Sequence, residues 1–150
     1  MMKAVDSCKS YAPALVRIAV SLVFLWFGVS QLVNPESFLG YIPGWLYPHP
    51  SEMQHAHPLQ FLHNISGLAH WVIMGNGFFE TFFGAFLLLG FFTRIAAFLL
   101  SFHLVAIALV LGYNDIAVRD LGLSAVTFSV FLNGPDRLCT GKRLRKLNVF

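Results

Sequence analysis

Four long apolar stretches, at about residues 14–33, 70–92, 95–111 and 116–132, dominate this 150-residue chain. Each approaches the length a helix needs to cross a hydrocarbon core, roughly 20 residues at about 1.5 Å per residue. Charge sits between them and is strongly sided. Of ten Lys and Arg, nine (Lys3, Lys9, Arg17, Arg94, Arg137, Lys142, Arg143, Arg145 and Lys146) would face one side of a bilayer, and Arg119 alone the other. Lys/Arg asymmetry of this kind sets orientation. It predicts both termini in the cytoplasm, residues 34–69 outside and a basic cytoplasmic tail over 133–150.

Only 11% of the residues are charged, against roughly 25% in a soluble domain, so a water-exposed surface cannot be built from them. The net charge of +3 lies at helix ends and in the tail. There it suits anionic lipid headgroups, and no nucleic-acid partner is expected. The fold class is all-α: one transmembrane domain over 1–150, a four-helix bundle running up-down-up-down. Lys3 and Lys9 before an apolar run imitate a signal peptide, but the run continues through Leu32 and Val33, so it reads as a retained first helix. Cys8 and Cys139 both fall on the cytoplasmic side, which argues against a disulfide. With no C-x-x-C pair, a dithiol mechanism has no residues to run on.

After the first span, Asn34-Pro35-Glu36 reads as a helix start, with Asn as cap, Pro in the first turn and an acid beside it. Gly40, Pro43 and Gly44 keep that helix short. The aromatic residues Phe38, Tyr41, Trp45 and Tyr47 among these breakers predict a segment lying on the outer membrane surface. Pro58 could open the helix leading into the second span. Apart from Trp26, every Trp and Tyr falls at a predicted interface, as an aromatic belt requires. Small or polar stripes mark the faces that meet: Arg17, Ser21, Gly28 and Gln31; Gly77, Glu80 and Gly84; Ala96, Leu100, His103 and Ile107; Asp120, Ser124 and Thr127. Arg17 is expected to snorkel to the cytoplasmic edge.

Glu80 is the one acid well inside a predicted span, and an intramembrane carboxylate is a functional candidate by default. A structural hydrogen bond between helices is the competing role. His103, the one histidine inside a span, lies within roughly 6 Å of Glu80 in depth, so the two could hydrogen-bond. They are the candidate catalytic pair, able to serve a quinone or small solute, unless His103 is simply packed. Haem ligation would need a second histidine at compatible depth, and His70 sits near the outer boundary. Outside the spans, His55, His57, His63 and His70 are the kind of ligands copper, zinc or nickel take, so a transition metal is a candidate cofactor. No full spacing motif supports it, and a wet interface explains the same residues. At the outer end of the last span, Arg119 is expected to pair with Asp120, Asp115 or Glu36. Arg17, Arg119 and Asp120 are the candidate cofactor contacts if an anionic ligand is held there.

In order and spacing, Arg17-Ile-Ala-Val-Ser-Leu-Val-Phe-Leu-Trp-Phe-Gly28, Gly90-Phe-Phe-Thr-Arg94-Ile-Ala-Ala97, Asn114-Asp115-Ile-Ala-Val-Arg119-Asp120-Leu-Gly122 and the closing Gly134-Pro135 together resemble the DoxX family of small membrane proteins. The resemblance covers about residues 14–138. It implies a four-span bundle in the cytoplasmic membrane, with recurring polar positions at Arg17, Glu80, Arg94, Arg119 and Asp120. It also implies partners: relatives are associated with oxidative-stress complexes, and one branch resembles a subunit of a thiosulfate:quinone oxidoreductase. The expectation is an accessory, non-catalytic subunit of a membrane redox complex. The alternatives are a quinone-linked oxidoreductase component and a metal-binding membrane protein.

Overall fold

The computed structural model describes residues 10–43 and 60–140, with side chains of the second segment described from Gly67 onward. The described residues are helical wherever they are regular. α1 covers Ala12–Val33, a 3-10 helix follows over Pro35–Tyr41, and then come α2 (Gln60–Leu89), α3 (Thr93–Leu111) and α4 (Asp115–Asn133). α1, the Gly67–Leu89 part of α2, and α3 are each long and apolar enough to cross a membrane.

Local chemistry explains the ends. Pro13 stands in the first turn of α1, where a missing N–H does no harm. The chain leaves α1 at Asn34, ahead of Pro35. Asn34 makes no side-chain cap, contrary to the expected Asn-capped start, and its backbone N–H returns to the Ser30 carbonyl. α2 begins about ten residues before the second apolar stretch suggests, at Gln60, two residues after Pro58. It stops at Gly90, before the expected Phe92. Gly90 takes φ +73°, its N–H meets the Leu87 carbonyl and the Phe91 N–H meets the Phe86 carbonyl. This paired reach-back ends helices where glycine permits a left-handed residue. Phe92 is also left-handed, at φ 46°, and reverses the chain into α3 within three residues. At the other end Asn114 caps α4 by accepting from the Ala117 N–H at 2.8 Å.

α1 packs along α2 and α3 along α4; α2 against α3 and α1 against α4 join the two pairs, and the 3-10 helix rests on α1 and α2. The α1–α2 crossing is close. A Cβ on Gly28 would come within 2.8 Å of the Gly77 carbonyl, and one on Gly77 within 2.8 Å of the Gly28 carbonyl. Thr81 Oγ1 is caught in this crossing, the buried side-chain polar atom without a partner among the described residues. Between α3 and α4, the hydroxyls of Ser101 and Ser124 lie 3.1 Å apart and each donates to the other's carbonyl. The main apolar core joins Val20, Phe24, Leu87, Leu100, Leu104 and Val130. A smaller one puts Ile42 on Ala69 and Ile73, beneath the 3-10 helix.

The surface is far more apolar than that of a soluble protein, and several polar groups are buried. Arg17, Gln31, Glu80, Ser101, Asp120 and Thr127 are buried, whereas Leu15, Trp26, Phe78, Phe102 and Leu109 stand well exposed. Apolar side chains facing outward, with polar ones turned into the bundle beside the apolar core, fit a lipid surround.

Candidate functional site

Glu80 sits on the buried face of α2 between Gly77 and Gly84. One turn earlier on the same helix, Asn76 reaches the same space, because residues four apart share a face. The Asn76 amide donates to Glu80 Oε1 at 3.2 Å and to Gln31 Oε1 at 2.7 Å. Gln31, from α1, donates in turn to Glu80 Oε2 at 3.3 Å. The remaining polar atom of Asn76, Oδ1, lies 2.6 Å from His103 Nε2 on α3. With the amide nitrogen already donating, Oδ1 accepts, so His103 carries its proton on Nε2 in this arrangement. The His103 ring lies 4.5 Å, centroid to centroid, from Phe79. The direct Glu80–His103 bond anticipated from sequence is therefore replaced by a relay through Asn76.

Glu80, Asn76, Gln31 and His103 open onto a cavity of about 700 Å³ that also takes in Arg119 and Asp120. Its walls are otherwise apolar and aromatic, with Phe24 and Phe27 from α1 and Phe79 from α2. Phe38, Tyr41 and Ile42 of the 3-10 segment close it at one end. Arg119 meets Asp120 through Nη2 at 2.8 Å and Nε at 2.9 Å. The carboxylate expected beside Arg119 is thus its chain neighbour. The guanidinium also lies 4.7 Å over the Phe27 ring. Asp120 is buried while the Arg119 side chain remains half exposed. An apolar cavity with a few convergent polar groups is the usual form of a small-molecule site, and its volume falls in the usual range of about 300–1,000 Å³.

Four of the five sequence-derived catalytic and cofactor candidates (Glu80, His103, Arg119 and Asp120) thus meet in one cavity. Arg17 does not. It lies at the other end of the molecule and, contrary to the expected snorkelling, is 1% exposed. Its Nε bonds Asp136 at 2.6 Å and its Nη1 donates to the Leu87 and Leu88 carbonyls that end α2. The reason is the segment after α4, which folds back across the bundle end. Cys139 packs on Gly90, Asp136 reaches Arg17, and the Arg94 guanidinium lies across Gly134. Burial alone would raise the Asp136 carboxyl, but bonds from Arg17 and the Leu138 N–H outweigh it and hold the group below the ordinary aspartate range.

Asn76 was not legible as a site residue, although its i−4 spacing from Glu80 was the available signal. Of the candidate metal ligands, His55 and His57, with the side chain of His63, lie outside the described residues. His70 is half-buried on α2. Among the described residues no three His, Cys, Asp or Glu side chains gather as a metal site.

Membrane-length helices with an apolar exterior and polar side chains turned inward define an integral membrane protein of the helical class. A model of the DoxX family matches residues 12–112, and the chain belongs to that family. The match includes Arg17, Glu80, Arg94 and His103 and stops short of α4. No curated protein and no solved structure matches the chain.

Proposed function

We propose that this DoxX protein crosses the cytoplasmic membrane four times, up-down-up-down, with both termini in the cytoplasm. In this reading it is an accessory subunit of a membrane redox complex and holds a quinone in the cavity at Asn76, Glu80 and His103. α4 completes the bundle: at 19 residues it equals α3 in length. It buries Asp120, Ser124 and Thr127 and exposes Val118, Leu121 and Leu132. The 3-10 helix then lies at the outer interface over the cavity.

The observation that carries the ligand assignment is the cavity itself. The aromatic walls from Phe27, Phe38 and Phe79 suit a flat ring, and the His103 Nε2–H, once turned away from Asn76 Oδ1, can donate to a ring oxygen. A bound quinone supplies an acceptor of electrons and protons. His103 and Asn76 would orient it, Glu80 and His103 are groups able to exchange a proton there, and electrons would come from a partner subunit. Purified protein in detergent is expected to gain thermal stability on titration with a water-soluble benzoquinone, since a ligand of the folded state stabilises it by mass action. His103→Phe, which keeps the ring stack and removes the imidazole, should abolish the gain. A wild-type unfolding midpoint that does not move at millimolar quinone would sink the assignment.

A further inference from the structure

We infer that the cavity is loaded sideways from the bilayer, through a gap between α2 and α3 bounded by Val72, Gly75, Ala106 and Val110, and that its ligand leaves an apolar tail in this gap. The inference rests on the quinone reading of the cavity and adds the route and the class of ligand: a lipid-soluble molecule with a hydrogen-bonding head and a long apolar tail.

All four residues line the cavity and yet are exposed on the molecular surface. Val72 is 45% and Val110 52% exposed. A side chain that belongs to both the cavity wall and the lipid face marks a breach between them. The two central positions are small, and a Cβ on Gly75 would find nothing within 4 Å. The gap carries no polar group, so it offers nothing to a water-soluble ligand and no obstacle to a hydrocarbon chain.

Elsewhere the lining residues that reach the surface carry polar groups: Ser37 and Tyr41 of the 3-10 helix and Arg119 of α4. α1 and α2 touch backbone to backbone at Gly28 and Gly77. α3 and α4 are joined by Ser101 and Ser124. Arg119 over Phe27 bridges α1 and α4. At the 3-10 end Ile42 is buried on Ala69 and Ile73. Depth agrees with a route from lipid. Gly75 lies about 12 Å along α2 from Gly67 and Ala106 about 8 Å along α3 from Leu111. Both therefore sit at the level of acyl chains rather than headgroups. The head would reach Asn76 and His103, which neighbour the gap on the same two helices.

The test compares a decyl-tailed benzoquinone with its tail-less parent, using the full chain in nanodiscs and equilibrium binding isotherms. Gly75→Trp and, independently, Ala106→Phe place a ring in the gap from either side. Both positions face lipid, and retained helicity and a monodisperse elution profile check the fold of each variant. The expected result is that the tailed quinone binds either variant about tenfold or more weakly than wild type, while the tail-less parent binds all three alike. If both quinones bind the wild type and the tailed one binds both variants undiminished, the lateral gap is wrong and the cavity assignment stands. If neither quinone binds the wild type, the cavity assignment fails and takes the gap with it.

Discussion

Arg17 and Asp136 show how much one pair can carry at a helix-bundle end. Both side chains are almost fully buried, at 2% and 3% exposure, and 2.6 Å apart. Removing one partner of a buried pair leaves an uncompensated charge and typically costs about 3–5 kcal/mol. Asp136→Ala should therefore lower the unfolding free energy in mild detergent by about that amount. The pH dependence has a definite sign. A carboxyl held below its ordinary value stabilises the fold fully above the unfolded-state value, near 4 for aspartate. That contribution is lost as pH falls through the lower folded value. Wild type should thus lose stability relative to Asp136→Ala below about pH 4, the two curves converging on the acid side. A constant offset between them at all pH values would remove the ion pair from the account. Sequence alone could not show this pair. Asp136 lies beyond the last apolar stretch, where no periodicity says where a side chain points, and Arg17 near a helix end reads equally well as a snorkelling residue. Glu80 was legible for the opposite reason: a carboxylate deep in an apolar stretch has few places to go.

Among the elements, the helix faces differ in how plainly the sequence wrote them. On α1, α2 and α4 the small and polar stripes correctly named the buried side: Arg17–Gln31, Gly77–Gly84 and Asp120–Thr127 are all within it. α3 is apolar around its whole circumference, so its one histidine was a poor guide. The buried face runs through Ala96, Ala97, Leu100, Ser101, Leu104 and Ala108, and His103 and Ile107 sit at its margin. The stripe on α1 and α2 also makes a sharp contrast testable. A methyl group at Gly28 would meet Thr81 and Gly77 atoms at 2.5–2.8 Å, mostly backbone, whereas at Gly122 on α4 it would meet nothing within 4 Å. Gly28→Ala should force the helices apart and lower the yield of folded protein. Gly122→Ala should be neutral or stabilising by up to about 1 kcal/mol, the usual gain for replacing glycine within a helix. Equal tolerance of both in a thermal-unfolding series would mean that the crossing is looser than described.

At the scale of the whole molecule, siting of charge and siting of the cavity point the same way. The cavity lies toward the end that carries the 3-10 helix and Arg119. The end that carries Arg17, Arg94 and Arg137 is filled by the returning segment after α4. If basic residues face the cytoplasm, the cavity opens in the outer half of the bilayer. A fusion after Phe150 is then expected to be active with a reporter that works in the cytoplasm and silent with one that needs the periplasm. Arg119, the one basic residue at the cavity end, is ion-paired with Asp120, which makes the exception tolerable. The reverse reporter pattern would invert the protein and move the cavity to the cytoplasmic leaflet.

The buried pair at the filled end spans 119 residues of chain, and this separation has a consequence for how the protein is made. While α1, α2 and α3 enter the membrane one after another, the partner of Arg17 has not yet been synthesised. Until then the guanidinium has the Leu87 and Leu88 carbonyls, which neutralise no charge, so the early helices assemble around an unbalanced cation. Closure must wait for translation to pass the end of α4, when a single carboxylate arrives to fasten the first helix to the last. A nascent chain short of that point carries an unbalanced buried charge at this end of the bundle, a difference in electrostatics that separates unfinished copies from finished ones.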